Sequence, residues 1–145
     1  MFRLGMLKIH DMKQPAKTGM IGTEHFVVTD EHLIDFADGE MPAVLSTPSL
    51  VWFLEHAARN AMLPLLEQGE STVGVVVHVE HLAPTPPGME VKCQARIIYA
   101  DGPLITFQFE AHDEHEKIAR GTHKLRVIQA RRLAKRVEHK KQSRP

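Results

Sequence analysis

The feature that most constrains the fold is one long apolar helix placed ahead of several strand-like runs. Thr47 is a good N-cap and Pro48 suits the first helical position, so we predict that the helix begins here. Between residues 49 and 67 the apolar side chains go most of the way round the helix, which is typical of a buried helix. Pro64 is expected to end it early, and Gly69 closes the unit.

The remaining elements, apart from the tail, are predicted to be strands. One strand is expected over residues 22–29, and four more follow the helix, at residues 72–81, 89–100, 103–112 and 117–128. Asp101 and Gly102 are typical of a tight hairpin turn. An antiparallel sheet must cover its apolar face, and the central helix is the element available for this. We therefore predict an α+β fold in which a curved antiparallel sheet wraps around one long central helix.

Composition and charge limit the class of protein. The length of 145 residues suits one domain, predicted at residues 19–130 between an N-terminal arm (1–18) and a basic, helical C-terminal tail (131–145). The hydrophobic fraction of 43% and the charged fraction of 25% are typical of a soluble globular protein. No apolar run approaches the roughly 20 residues needed to cross a bilayer, and no secretory signal is visible. The single cysteine, Cys93, excludes an internal disulfide, and we expect a cytoplasmic location without membrane association.

The C-terminal tail is strongly basic. Residues 124–145 hold nine lysines and arginines and one glutamate. Such a segment could bind phosphate groups or nucleic acid, or it could be a solvated helix. Because no aromatic residue is interleaved with these charges, we favour the solvated helix and predict no nucleic-acid partner.

The strand at residues 72–81 carries a histidine on an apolar face. Side chains alternate along a strand, so Val75, Val77, Val79 and His81 are predicted to share one face, opposite His78. A histidine in this position is either a core residue bonded to a backbone carbonyl or a catalytic residue.

Glu55 is the only acidic residue between Met41 and Leu66, and it lies in the middle of the apolar helix. Removal of a carboxylate from water disfavours its charged form unless the group is paired. Glu55 could pair with His81 on the facing strand and form a hydrolytic site. Alternatively, it could lie on a narrow solvent-facing stripe and pair with Arg59 one turn further on.

Three sequence motifs together resemble a known family. They are Leu45-Ser-Thr-Pro-Ser-Leu-Val-Trp-Phe-Leu-Glu-His-Ala57, the segment from Gly74 to Gly88 with its Val-x-His-x-x-x-Thr-Pro-Pro-Gly ending, and Ala119-Arg-Gly-Thr-His123. Over residues 20 to 130 the chain resembles the fluoroacetyl-CoA thioesterase-like branch of the hotdog-fold acyl-CoA thioesterases. The resemblance implies hydrolysis of a small or medium acyl-CoA thioester, with no cofactor and no metal, by a homodimer that has pockets at the subunit interface.

The resemblance also implies roles for individual residues. The family's catalytic threonine, glutamate and histidine correspond to Thr47, Glu55 and His81. The glycine whose amide faces the thioester carbonyl corresponds to Gly74. Phe36 is a further expected substrate contact. Arg120 is expected to share one strand face with Lys124 and Arg126, which could either contact the phosphates of coenzyme A or be an ordinary solvated face. The family's namesake has a longer segment ahead of the helix with a pair of phenylalanines, whereas this chain has only Phe36, so fluoroacetyl specificity is not implied.

Two chemical routes fit such a site. Glu55 could attack the thioester carbonyl and form an anhydride, or it could activate a water molecule with His81 as the proton shuttle. Two other functions stay open at this point, namely a non-catalytic acyl-CoA-binding protein and an enoyl-CoA hydratase-like enzyme. A metal site is not expected, because His78 and His81 are three apart on a strand and point to opposite faces.

Overall fold

The computed structural model describes residues 14–144, so most of the predicted N-terminal arm lies outside the described residues. Within this range there are five strands, β1 to β5, and two α-helices, α1 and α2, in the order β1, α1, β2, β3, β4, β5, α2. The strands are Ile21–Val27 (β1), Glu70–His81 (β2), Glu90–Asp101 (β3), Leu104–His112 (β4) and Lys117–Gln129 (β5). The α-helices are Thr47–Met62 (α1) and Ala130–Gln142 (α2), and short 3-10 turns lie at Asp30–His32 and Leu63–Leu65.

The five strands form one antiparallel sheet in the order β1-β3-β4-β5-β2. One face of this sheet packs on α1, and the core lies between them, including Leu50, Leu54, Ile97, Phe107 and Leu125. The β3–β4 hairpin turns at Gly102, whose φ of +60° favours glycine. The two edges of the sheet are β1 and β2.

Helix α1 is capped one residue earlier than the sequence pattern predicts. The Ser46 side chain accepts a hydrogen bond from the backbone N–H of Ser49 at 3.2 Å, so Ser46 is the N-cap and the prediction of Thr47 is wrong. Pro64 lies in the 3-10 turn that follows Met62, in agreement with its expected role as a helix terminator. Trp52 is 52% exposed, so one face of the helix is uncovered in a single chain.

Strand β2 contains a bulge that changes which side chains share a face. The β2–β5 register shifts between Gly74 and Val76, and Val75 occupies the extra position. The prediction that Val75 aligns with His81 is therefore wrong, because counting alternate residues assumes an unbroken strand. Gly74 lies opposite Leu125 and His81 lies opposite Ala119, both of which are buried. The bulge therefore brings Gly74 and His81 to the same helix-facing side of the sheet.

The single cysteine is part of the core. Cys93 lies on β3 and is 1% exposed. Burial, assisted by the negative charge of Glu24, raises the pKa of its thiol to about 12. In the described part of the chain, none of the helices is long and apolar enough to cross a membrane.

Candidate active site

Thr47 and His81 meet at the start of α1 and the end of β2. The Oγ1 atom of Thr47 lies 2.8 Å from Nδ1 of His81, a hydrogen-bond distance. Because Ser46 caps the helix, the Thr47 hydroxyl is free to make this contact. The two residues, called here the histidine cluster, line a cleft of 310 Å³ together with Ile34, Val44, Leu45, Leu82, Ala83 and Pro84.

Backbone hydrogen bonds fix the segment that leads into α1. The N–H of Leu45 donates to the carbonyl of Thr85 at 2.9 Å, and the N–H of Ser46 donates to the carbonyl of His32 at 2.8 Å. Thr85 is fully buried, and its hydroxyl donates to Asp113 at 2.9 Å. The proline-rich segment after β2 is thereby tied to the start of the helix, which keeps Thr47 beside His81.

The environment of His81 favours a neutral imidazole. Burial lowers its pKa below the ordinary value of 6.5, and the backbone of Ala83 opposes this shift. Nδ1 is engaged with Thr47, whereas Nε2 is buried and has no hydrogen-bond partner among residues 14–144. A neutral imidazole with one unengaged nitrogen is suited to accept a proton from a reacting group.

Glu55, Gly74 and His123 form a second group, called here the glutamate cluster. A Cβ at Gly74 would overlap Oε2 of Glu55 and would lie 3.3 Å from Cε1 of His123. The absence of a side chain at Gly74 therefore leaves room for the carboxylate. The three residues line a cavity of 200 Å³, together with Trp52, His56, Arg59, Thr72 and Leu125.

Glu55 makes no hydrogen bond or ion pair with any residue in the described range. Arg59 instead donates to the hydroxyls of Ser71 and Thr72, each at 3.1 Å. The structure therefore does not show the alternative ion pair between Arg59 and Glu55. The carboxylate faces a cavity and stays available for chemistry.

His123 is the residue of this cluster for which the sequence suggested no role. It is 1% exposed, its Nδ1 lies 3.0 Å from the carbonyl oxygen of Val76, and its ring stacks on Phe109. A signal was present, because His123 alternates in phase with Leu125 and Val127 on the buried face of β5. What the sequence could not show was that β5 places it next to a glutamate on α1.

Within one chain, the two clusters do not meet. Gly74 and His81 are separated by six strand steps on β2 once the bulge residue Val75 is left out, or roughly 20 Å at about 3.3 Å per residue. Thr47 and Glu55 are eight residues apart on α1, or roughly 12 Å along the helix axis. The structure therefore does not bring Glu55 to His81 in one chain, contrary to the expected direct pairing.

The two remaining predicted residues lie away from both clusters. Arg120 pairs with Glu80 on the sheet face opposite α1, where both side chains are exposed. Phe36 is 64% exposed in the segment before α1. Neither lines either cavity, and their roles in substrate binding stay predictions. In residues 14–144 no group of three or more His, Cys, Asp or Glu side chains converges as metal ligands would.

Comparison with known proteins identifies the family. The family model described as fluoroacetyl-CoA-specific thioesterase matches residues 28–131. The fluoroacetyl-CoA thioesterase of Streptantibioticus cattleyicolor is 35% identical over 137 residues, which cover 89% of this chain and 97% of that protein. The chain belongs to the fluoroacetyl-CoA-specific thioesterase family.

Solved structures agree with this membership. A structure of the fluoroacetyl-CoA thioesterase superposes with a TM-score of 0.81 at 30% identity, covering 91% of this chain and all of that one (100%). A Thermus thermophilus protein described as a thioesterase superfamily member has a TM-score of 0.80 at 29% identity, covering 90% of this chain and 99% of that one. The predicted hotdog fold and the predicted thioester hydrolase class are confirmed.

Proposed function

We propose that this protein is a homodimeric acyl-CoA thioesterase in which each active site combines the glutamate cluster of one subunit with the histidine cluster of the other. The observation that carries this proposal is the position of both clusters on the same face of one edge strand. Related structures add support, since mutants of the family's namesake have been solved with fluoroacetate and CoA and with acetyl-CoA.

Strand β2 has the properties of a pairing edge. It is 12 residues long, and among residues 14–144 its one strand partner is β5, so within that range its other side offers free backbone groups. Large apolar side chains are exposed along and beside it, namely Val75, Val77, Leu82 and Trp52. A second copy that pairs antiparallel with β2 would cover these side chains and extend the sheet.

The residue numbers define the register of this pairing. A twofold axis at His78, with the bulge residue Val75 left unpaired, would place Gly74 of one subunit opposite His81 of the partner subunit. Residues opposite each other in an antiparallel pair point to the same side of the sheet. Both clusters face α1, so this register would join them into two equivalent sites, each close to the dimer axis.

The chemistry follows from the groups that are brought together. In the anhydride route, Glu55 attacks the thioester carbonyl carbon, the C–S bond breaks and the coenzyme A thiolate leaves. His81 Nε2 then takes a proton from water, the resulting hydroxide attacks the anhydride, and His81 passes the proton to the thiolate. In the water route, Glu55 takes the proton from the attacking water, the hydroxide adds to the thioester carbonyl carbon, and the C–S bond breaks. His81 then carries the proton from Glu55 to the leaving coenzyme A thiolate, which restores both groups. In either route, Thr47 holds the imidazole of His81 in place.

The cleft beside His81 supports a small or medium acyl group. Its volume is 310 Å³, and Ile34, Val44 and Leu45 give it apolar walls. Coenzyme A enters only as part of the substrate, so no resident cofactor is needed. A cytoplasmic location stays a prediction from the sequence.

The test is hydrolysis of a panel of acyl-CoAs, from acetyl to octanoyl, followed by thiol release. We expect turnover with at least one of them, and a loss of about 100-fold or more in kcat for Glu55→Gln and for His81→Ala. Full activity in either variant would refute the assigned roles. Binding of acyl-CoA by calorimetry without thiol release would instead support a non-catalytic binding protein.

A further inference from the structure

His123 is a buried titratable residue that the proposed chemistry does not use. It belongs to the Ala119-Arg-Gly-Thr-His123 motif, which carried part of the family resemblance without any assigned role. The ring nitrogens of a histidine that is 1% exposed are expected either to be hydrogen-bonded or to take part in the function of the protein. Its surroundings indicate which of these applies.

Two contacts fix the imidazole ring of His123. Its Nδ1 lies 3.0 Å from the carbonyl oxygen of Val76, which can only accept, so Nδ1 carries the hydrogen. The ring stacks on Phe109 with centroids 5.0 Å apart and planes at 16°. Val76 directly follows the bulge residue of β2, so the same hydrogen bond ties the bulge to the centre of the sheet.

The Cε1 edge of this ring and the Glu55 carboxylate lie beside the same point of β2, at Gly74. Cε1 of His123 and Oε2 of Glu55 both lie against the position that a Gly74 Cβ would occupy. Burial lowers the pKa of His123, with smaller opposing contributions from the Val76 carbonyl and from the charge of Glu55. A neutral ring with hydrogen on Nδ1 leaves Nε2 as an acceptor and Cε1–H as a weak donor next to the carboxylate.

We propose that His123 is a positioning residue for Glu55, holding the carboxylate over Gly74 while fixing the bulge through Val76. This inference rests on the proposed function, since it assigns His123 to the same site. The titratable groups that face the ring come from α1, with Glu55 nearest and with His56 and Arg59 on the same cavity wall. Strands β4 and β2 contribute Phe107, Phe109, Gly74 and Val76, none of which titrates.

The first test is kinetic. The variant His123→Phe keeps an aromatic ring to stack on Phe109 but removes both nitrogens. We expect kcat to fall about 10- to 100-fold, with KM changed less than about 3-fold, because a misplaced catalytic group slows the reaction more than it weakens binding. The variant His123→Gln, whose amide can still donate to Val76, should recover part of the loss.

Two controls separate positioning from packing. His25→Phe replaces an exposed histidine on β1, at the other edge of the sheet from β2, and should leave kcat unchanged. Phe109→Leu loosens the ring stack without removing a polar group and should leave the pH dependence of kcat as in the wild type, whereas His123→Phe should shift it. A kcat for His123→Phe within 2-fold of the wild type would overturn the inference, as would an equal pH shift in Phe109→Leu.

The second test needs no turnover. Histidine ring NMR on the full chain should show the Nδ1–H tautomer of His123 in the wild type and in Glu55→Gln. We expect His123 to titrate at lower pH in Glu55→Gln, because the negative charge that raises its pKa is gone. Identical titrations would refute the coupling even if the enzyme is active. An inactive wild type with coupled titrations would refute the proposed function and leave the coupling intact.

Discussion

Mixing of two inactive variants tests the shared active site most directly. Glu55→Gln disables the glutamate cluster, and His81→Ala disables the histidine cluster, so each pure homodimer has two defective sites. In a mixed dimer, one site receives Glu55 and His81 from the chains that retain them, and the other site receives both defects. Recovery is therefore expected only if each site is built from two chains.

The size of the recovery follows from the geometry. The clusters lie roughly 20 Å apart along β2 in one chain, too far for a carboxylate and an imidazole of that chain to act on one carbonyl. Random subunit exchange makes about half of the dimers mixed, each with one intact site, which gives about a quarter of wild-type activity. Loss of a general acid or base costs about 100-fold or more, so the mixture should exceed either parent by about 25-fold.

The assay is thiol release from the best acyl-CoA after subunit exchange, with mixed dimers quantified by differently tagged chains. The matched control mixes Glu55→Gln with Gly74→Ala, two changes in the same cluster, and this pair should show no recovery. If mixed dimers form and activity stays at the parental level, the two-chain site is wrong. Recovery in the control pair would also contradict the assignment of Gly74 to the glutamate cluster.

Further predictions concern the helix cap, two glycines and the buried histidines. Thr47→Val should lower kcat with little loss of stability, whereas Ser46→Ala should cost about 1 kcal/mol of unfolding free energy with nearly normal kcat; the reverse pattern would contradict the capping assignment. Gly74→Ala places a Cβ onto the Glu55 carboxylate and should lower kcat about 10- to 100-fold at nearly unchanged thermal stability. In contrast, Gly22→Ala places a Cβ onto the backbone of Ala57 and should lower the unfolding free energy by about 1–3 kcal/mol, as measured by urea denaturation. Since burial lowers the pKa of His81 below 6.5, its neutral form persists at that pH, and kcat/KM should fall only at lower pH; an acid limb above pH 6.5 would contradict this. The free energy of unfolding should also decrease as pH falls below 6.5. In the unfolded chain His81 and His123 take up protons near pH 6.5, whereas in the folded protein they do so only at lower pH. Urea denaturation midpoints should therefore drop over this range.

The sequence predicted the fold well because hydrophobic periodicity and turn residues are local signals. Patterns only a few residues long predict the buried side of α1, the strands and the hairpin at Gly102. The two errors, the N-cap of α1 and the bulge in β2, each concern the placement of a single residue. Ser46 and Thr47 are both good caps, and only the contact between Thr47 and His81 decides between them. The bulge at Val75 depends on the pairing partner, which alternation within one strand does not reveal.

The sequence predicted the individual residues of the candidate site but not how they are grouped in space. Thr47, Glu55, Gly74 and His81 were identified by a polar group or a glycine in an apolar context and by resemblance to the family. Their division into two clusters depends on distances along β2 and α1 that emerge only when helix and sheet are packed together. His123 was missed for the same reason, because its partner Glu55 is 68 positions away in the sequence.

The burial of Cys93 has a practical consequence for enzymology. The thiol of Cys93 is buried in the core and its pKa is raised to about 12, so in the folded protein it should not react with thiol-specific dyes. The absorbance change in a hydrolysis assay then comes from the thiol of released coenzyme A. A rapid-mixing experiment could count active sites without background correction, and a burst of one thiol per site would identify the anhydride route.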